Sequence, residues 1–270
     1  MKFGLIIIGD EILSGKRLDK HFGKVVELLT ARGLHLSWAE ILGDDRERLV
    51  DLLRRSFTSN DVVFSCGGIG ATPDDHTRQA AGAALGLPLA LHPEAEVLIA
   101  QRCAEMAAAG RGVADMNAPE NQHRLNMGKF PVGAEIIANP FNRIPGFSIR
   151  DHHFVPGFPV MAWPMIESVL DARYRHLFHH EPRVERSALV YQTPESKVTP
   201  LMEALEAEFP ATRVFSLPSV GEDGKRAHIE LGVKGAPAEV EQAFERLLAG
   251  LRELGVDDIK VLTPAPSVVS

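Results

Sequence analysis

Apolar residues run without a break over positions 4–8 and again over 62–64 of an expected strand at 62–65, ahead of a glycine-rich stretch, and short continuous runs of this kind read as strands covered on both faces in a parallel sheet. Around them the period changes. Leu18, Phe22, Val25 and Leu29 recur at helical spacing until Gly33, and Leu49, Leu52, Leu53 and Phe57 do so again. With 36–41 as a second strand, the order strand, polar turn, helix repeats, which predicts a doubly wound α/β sheet with its ligand at the carboxyl ends of the strands. Further along, 93–109 carries a helical pattern through Val97, Leu98, Cys103 and Met106, and 110–128 reads as a loop or broken helix. Strands are expected at 134–138 and 153–155, and a helix from Met161 through Met165, Ile166, Val169, Leu170 and Leu177.

Composition shifts near His179-His180-Glu181-Pro182, which marks a boundary. Beyond it the pattern is strand (184–191), helix (197–209), strands near 214–217 and 228–233, helix (238–254) and strand (259–262), with Gly221-Glu222-Asp223-Gly224 as a hairpin signal. This βαββαβ order predicts a smaller ferredoxin-like α+β domain. The division is therefore 1–178, 183–263 and a tail at 264–270. No catalytic constellation is visible in the smaller domain. His176, His179 and His180 read as partners of a helix C-terminus rather than metal ligands, because no carboxylate or cysteine completes a site.

The chemistry concentrates in Phe64-Ser65-Cys66-Gly67-Gly68-Ile69-Gly70-Ala71-Thr72-Pro73-Asp74-Asp75-His76-Thr77-Arg78. A strand, a glycine turn and a helix N-terminus make an anion or phosphate site, since glycine lets the backbone approach a ligand and the first helical amides are unpaired. Thr72 is expected as N-cap, Pro73 at the first helical position and Asp75 as the acidic member of a capping box. The run lacks the third glycine of a dinucleotide fingerprint and the Lys-Ser or Lys-Thr of a Walker loop. Asp74 and Asp75 either cap the helix or hold a divalent cation against the phosphates, and on spacing alone capping ranks first. Asp44 is likewise expected to cap a helix, with Glu47 as its reciprocal partner. In a parallel sheet the turns at 10–15, 43–45 and 67–75 open on one edge, and three carboxylate-bearing turns together favour a cation-assisted phosphate ligand. The 139–146 loop and Pro156-Gly157-Phe158-Pro159 are candidates for a pterin or base pocket.

A chain of 270 residues is long enough for two domains, and 45% hydrophobic residues suit an ordinary globular protein. Its apolar runs are too short to span a bilayer, and the first one breaks into Gly9-Asp10-Glu11 too early for a signal peptide, so a cytoplasmic location with no membrane partner is expected. Cys66 and Cys103 are expected as reduced thiols. A net charge of −7 without a basic run argues against nucleic acid as partner.

Gly9-Asp10-Glu11-Ile12-Leu13-Ser14-Gly15, Gly43-Asp44-Asp45, the glycine run and the Pro156 to Pro159 loop, in that order, resemble the molybdopterin-binding domain shared by MoaB and Mog proteins. The resemblance is closest to the N-terminal part of competence/damage-inducible protein A (CinA), over roughly residues 1–175, and 184–262 resembles the small domain that follows there. It implies a parallel sheet that binds molybdopterin or a related pterin or nucleotide, usually with a magnesium-type ion. Relatives are said either to adenylylate molybdopterin or to hydrolyse ADP-ribose or flavin nucleotides at the pyrophosphate, so a metal-dependent nucleotide pyrophosphatase and a non-catalytic binding module are both carried as alternatives. The matching ligand positions are Asp10, Ser14, Gly15, Gly67, Gly68, Gly70, Thr72, Pro156 and Gly157. Asp44, Asp74 and Asp75 match as catalytic carboxylates, and Asp75 with Asp44 as the metal pair. Ala71 stands where the pattern usually has proline, Arg17 and His21 where it has Thr and Asn, and 139–146 fits the small-residue pattern only loosely. The deamidase domain that often follows in CinA has no counterpart here, so deamidation is not expected. Relatives are oligomeric, and Arg111, His123, Arg124 and Lys129 offer a basic complement to the acidic edge, so a homo-oligomer is expected.

Overall fold

The computed structural model describes residues 1–179, 184–221 and 226–263. The chain divides into two compact units, Met1–Phe178 and His179–Ser270. The first runs β1 (Phe3–Ile8), α1 (Asp10–Leu13), α2 (His21–Thr30), β2 (Leu36–Leu42), α3 (Arg46–Thr58), β3 (Val62–Cys66), α4 (Thr77–Leu85), β4 (Leu89–Leu91), α5 (Pro93–Ala108), α6 (Pro119–Leu125), β5 (Lys129–Pro131), β6 (Glu135–Ile137), β7 (Gly146–Ile149), β8 (His152–Val155) and α7 (Pro159–Arg173).

Its six-stranded sheet has the order β2-β1-β3-β8-β7-β6. The first four strands are mutually parallel, and β7 runs antiparallel to both β8 and β6. Alternate residues of the apolar runs serve opposite faces. Leu5, Ile7, Phe64 and Cys66 meet α2 and α7, whereas Ile6, Ile8 and Val63 meet α3 and α4. Burial on both faces is why these strands read as unbroken hydrophobic runs. Cys66 and Cys103 are free and buried, and burial pushes the Cys66 thiol up.

Several boundaries differ from the sequence pattern for identifiable reasons. Asp19 accepts hydrogen bonds from the amides of His21 and Phe22 at 2.9 Å each, so α2 starts there; Leu18 and Phe22 are exposed, and the buried stripe is His21, Val25, Leu28 and Leu29. In α5 the core side is Ala95, Ile99 and Cys103, and Val97 faces outward. The 110–128 stretch contains α6 and a single 3-10 turn at Asn126–Gly128. The hairpin from β7 to β8 turns through Arg150 at φ 53°; the sequence pattern predicts no strand at β7 because its four residues start on the glycine of Pro145-Gly146, a turn signal. Leu177 lies in a separate 3-10 turn, Arg175–Leu177, beyond the end of α7.

Two adjacent histidines on β8 are held neutral inside the sheet. His152 Nε2 lies 2.5 Å from Ser56 Oγ, and His153 contacts Ser148 Oγ at 2.8 Å and the Tyr174 hydroxyl at 2.7 Å. Desolvation pushes both imidazoles from 6.5 down to about 3. Their stabilising contribution is thus complete above the unfolded value of 6.5 and is lost as pH falls towards about 3, because over that window the unfolded chain binds protons that the fold refuses. The urea midpoint is expected to drop between about pH 7.5 and about pH 5, and the drop should shrink in His153→Gln. An equal drop in that variant would assign the acid sensitivity elsewhere.

The second unit comprises β9 (Val184–Tyr191), α8 (Glu195–Glu208), β10 (Thr212–Ser219), β11 (His228–Gly235), α9 (Pro237–Glu253) and β12 (Ile259–Val261). Its antiparallel sheet has the order β10-β11-β9-β12. Val198, Leu205, Val240, Phe244 and Leu247 of the two helices pack on Ala188, Val190, Leu231 and Val233, giving the ferredoxin-like arrangement. The 222–224 part of the expected hairpin turn, the 180–183 part of the boundary and the 264–270 tail lie outside the described residues. No helix among the described residues is long and apolar enough to cross a membrane.

Candidate functional site

Because β1, β2 and β3 are parallel, the turns that follow them meet at one edge. After β1 the chain forms the four-residue α1 rather than a plain turn, and Asp10 is tied to the second turn by reciprocal bonds. The Asp10 amide donates to Asp44 Oδ2 at 3.0 Å, and the Asp44 amide donates to Asp10 Oδ1 at 3.2 Å. At Gly43 a Cβ would stand 2.2 Å from Asp10 Oδ1, so a side chain there would displace that carboxylate from the Asp44 amide. The helix cap is therefore Asp45, not Asp44: its carboxylate accepts from the amides of Glu47 and Arg48 at 3.0 and 3.1 Å. Burial raises the Asp44 carboxyl above its ordinary value, and the charges of Asp10, Asp74 and Glu11 add to this against the Asp10 amide. The influence of Asp74 brings the third turn to the same place.

The third turn departs from the expected helix start. Thr72 to Asp75 closes a turn of its own, with the Asp75 amide donating to the Thr72 carbonyl at 3.1 Å and the Thr72 amide to Asp75 Oδ2 at 2.9 Å; the Thr72 hydroxyl donates to the same oxygen. Helix α4 begins only at Thr77, so Thr72 is not its N-cap and Pro73 is not its first residue. Thr77 staples the glycine turn to that helix, its amide donating to the Gly68 carbonyl at 3.0 Å and its hydroxyl to the Gly67 carbonyl at 3.1 Å. Gly67 and Gly68 adopt φ of 111° and 66°, and a Cβ would lie 2.4 Å from the Ile8 carbonyl oxygen and 2.2 Å from Thr77 Oγ1 respectively. At Gly70 it would lie 2.5 Å from Asp75 Oδ2. Ile69 anchors the turn in the core beside α3 and α4. Among the described residues, the amides of Gly68, Ile69, Gly70 and Ala71 donate to no protein acceptor.

The other expected positions surround this turn unevenly. Gly157 packs close to Gly67, where an added Cβ would meet the Gly67 Cα at 3.4 Å, and its carbonyl lies 3.0 Å from His21 Nε2. Ser14 and Gly15 end α1 on the exposed side, Gly15 at φ 70°. The 139–146 loop opens on the same edge because β7 is antiparallel to β8. Asn139 organises it, donating to Asn142 Oδ1 and the Ile144 carbonyl and accepting from the Phe141 amide. Phe141 and Phe158, on the two neighbouring loops, are both exposed. Of the basic residues, Arg111, His123 and Lys129 are exposed and Arg124 is turned onto Asn121. Among the described residues no group of three His, Cys, Asp or Glu is placed to hold a metal, and of the third-turn carboxylates it is Asp74 whose charge acts on Asp44. Thr77, Arg78 and Asn139 were not assigned roles from sequence; only the downstream helix boundary and the folded loops reveal their contacts.

Comparison with known proteins agrees with this architecture. A CinA-like protein of Anaeromyxobacter sp. (strain Fw109-5) is 28% identical over 249 residues, covering 86% of this chain and 58% of that protein. A CinA-like protein of Escherichia coli (strain SMS-3-5 / SECEC) is 29% identical over 252 residues, covering 92% of this chain and 58% of the relative. The chain thus spans about 58% of the length of these relatives. The crystal structure of CinA from Thermoplasma acidophilum shares the fold, with a TM-score of 0.54 at 23% identity over 63% of this chain and 98% of that one. Residues 4–176 match the family described as "Probable molybdopterin binding domain", and the chain belongs to that family.

Proposed function

We propose that the carboxyl edge of the first unit binds the phosphate of molybdopterin or of a related pterin or nucleotide, with the amides of residues 68–71 around the phosphate oxygens. The observation that carries this reading is the glycine turn itself: two glycines at positive φ leave four amides without protein acceptors beside a cluster of carboxylates. The exposed rings of Phe141 and Phe158 on the flanking loops offer apolar faces to a planar heterocycle. The carboxylates favour a divalent cation, Mg²⁺ in character, between Asp44 or Asp75 and the phosphate, because a cation offsets the burial, and the lesser repulsion from Asp10, Asp74 and Glu11, that raise the Asp44 carboxyl. With such an ion the same edge would support pyrophosphate cleavage of ADP-ribose or FAD, the second reading, which the acidic cluster alone favours. Release of AMP from ADP-ribose, FAD and NAD with Mg²⁺, Mn²⁺ or Co²⁺ separates catalysis from simple binding. Binding without release identifies a carrier or binding module.

Asp75→Asn tests the metal assignment. The amide oxygen can still accept from Thr72, so the stability loss is expected to stay within about 1 kcal/mol, the scale of a lost capping interaction. Mg²⁺-dependent AMP binding should nevertheless collapse, since a neutral amide is a poor ligand for a hard cation. Titrations with Mg²⁺ and with EDTA, beside a denaturation curve, decide the matter; an unchanged metal response confines Asp75 to its turn. The homo-oligomer is proposed on the exposed Arg111, His123 and Lys129, and light scattering showing only monomer at micromolar concentration would reject it.

A further inference from the structure

Arg78, the second residue of α4, is 3% exposed, lies beneath the glycine turn and forms no ion pair among the described residues. Its guanidinium donates from Nη2 to the Gly70 carbonyl at 2.5 Å and from Nη1 to the Asn126 carbonyl, while Nε is buried without an acceptor. Asp75 acts on it only at longer range, and one oxygen of that carboxylate already accepts from Thr72. Burying a cation against carbonyl dipoles with no carboxylate in contact is unfavourable, because the dipoles replace only part of the solvation it has lost. Desolvation accordingly pushes the guanidinium down to about 10.

We propose that Arg78 is the buried counter-charge and positioning residue for the phosphate group of the ligand, an inference that rests on the glycine turn being the phosphate site. Two physical effects act together. The positive charge sits one peptide below the unpaired amides, where an arriving phosphate supplies the anion that the interior lacks. The guanidinium also pins the Gly70 carbonyl inward. In a trans peptide the N–H points opposite to the C=O, so the Ala71 amide is turned outward, and a hydrogen bond on the carbonyl polarises that amide into a better donor. Arg78 thus acts through the loop and does not touch the ligand.

The test compares the whole chain as wild type, Arg78→Lys and Arg78→Gln, with inorganic phosphate and AMP as probes, each with and without Mg²⁺, and chloride at matched ionic strength as control. Lysine keeps the charge; glutamine keeps a donor for a carbonyl and removes the charge. The wild type should gain thermal stability with either probe, Arg78→Lys should retain most of that shift, and Arg78→Gln should lose it with AMP affinity at least about tenfold weaker, which corresponds to about 1.4 kcal/mol. In the wild type, phosphate should also displace and protect the Ala71 amide resonance, a readout independent of how the variants fold. Wild-type affinity in Arg78→Gln, equal losses in both variants, or an unmoved Ala71 amide in phosphate-bound wild type would each overturn the role of Arg78 alone. A wild type that responds to neither probe would instead overturn the phosphate site on which the role rests.

Discussion

Gly68→Val is expected to abolish phosphate and nucleotide binding while the α/β circular dichroism spectrum persists. At φ 66° the backbone of residue 68 lies in the left-handed region, where a β-branched side chain is at its least tolerated. Its Cβ would stand 2.2 Å from Thr77 Oγ1, the atom that staples the turn through the Gly67 carbonyl. The turn must then shift, and with it the amides of Ile69, Gly70 and Ala71. Strain of this kind costs about 1–3 kcal/mol, which the first unit can bear, but a displaced donor array no longer matches a phosphate. Gly68→Ala meets the same contact with a smaller side chain and should weaken binding less. Calorimetric titration with AMP, beside the spectrum, provides the check; unchanged affinity in Gly68→Val would move the site away from the glycine turn.

Phe154→Ala is expected to be the most destabilising single truncation in the first unit. Phe154 is fully buried on β8 and stacks on Phe147 at 4.4 Å with ring planes 10° apart; Phe147 in turn stacks on Phe130 at 4.8 Å. Truncation removes the ring's burial and leaves a cavity between neighbours that are themselves held by the sheet, so the loss should be about 3–5 kcal/mol. Set against a total of about 5–15 kcal/mol for a typical domain, that is a large share. Urea denaturation followed by near-ultraviolet circular dichroism measures it, and Phe154→Leu should recover most of the loss. A cost below about 1 kcal/mol would mean that the stack relaxes into the gap.

The three turns of the candidate edge were legible as a group because each follows an apolar run and precedes a helical pattern, and parallel topology does the rest. Their internal wiring was not. Asp44 and Asp45 are adjacent carboxylates with equal claims to cap α3, and the choice falls to Asp45 because the backbone of Asp10, 34 residues away, engages Asp44. Thr72-Pro73-Asp74-Asp75 carries every local mark of a helix start, yet Thr77 and Arg78 draw the chain back over the glycines and α4 begins later. Local propensity lost to contacts that exist only once the loop is closed. Arg78 illustrates the same limit: an arginine in a helix reads as solvent-facing until the fold buries it.

By itself, then, the sequence determined the alternation of strands and helices, the two-sided burial of β1 and β3, the βαββαβ order of the second unit and the gathering of glycines and carboxylates at one sheet edge. These follow from periodicity and chain order, which are local properties with strong physical signals. The tertiary structure decided which carboxylate caps and which faces its neighbours, where α4 begins, that β7 joins the sheet antiparallel, and that a buried guanidinium lies beneath the turn. Each of those depends on contacts between residues far apart in the chain, whose energies of a few kcal/mol outweigh the smaller local preferences of caps and turns.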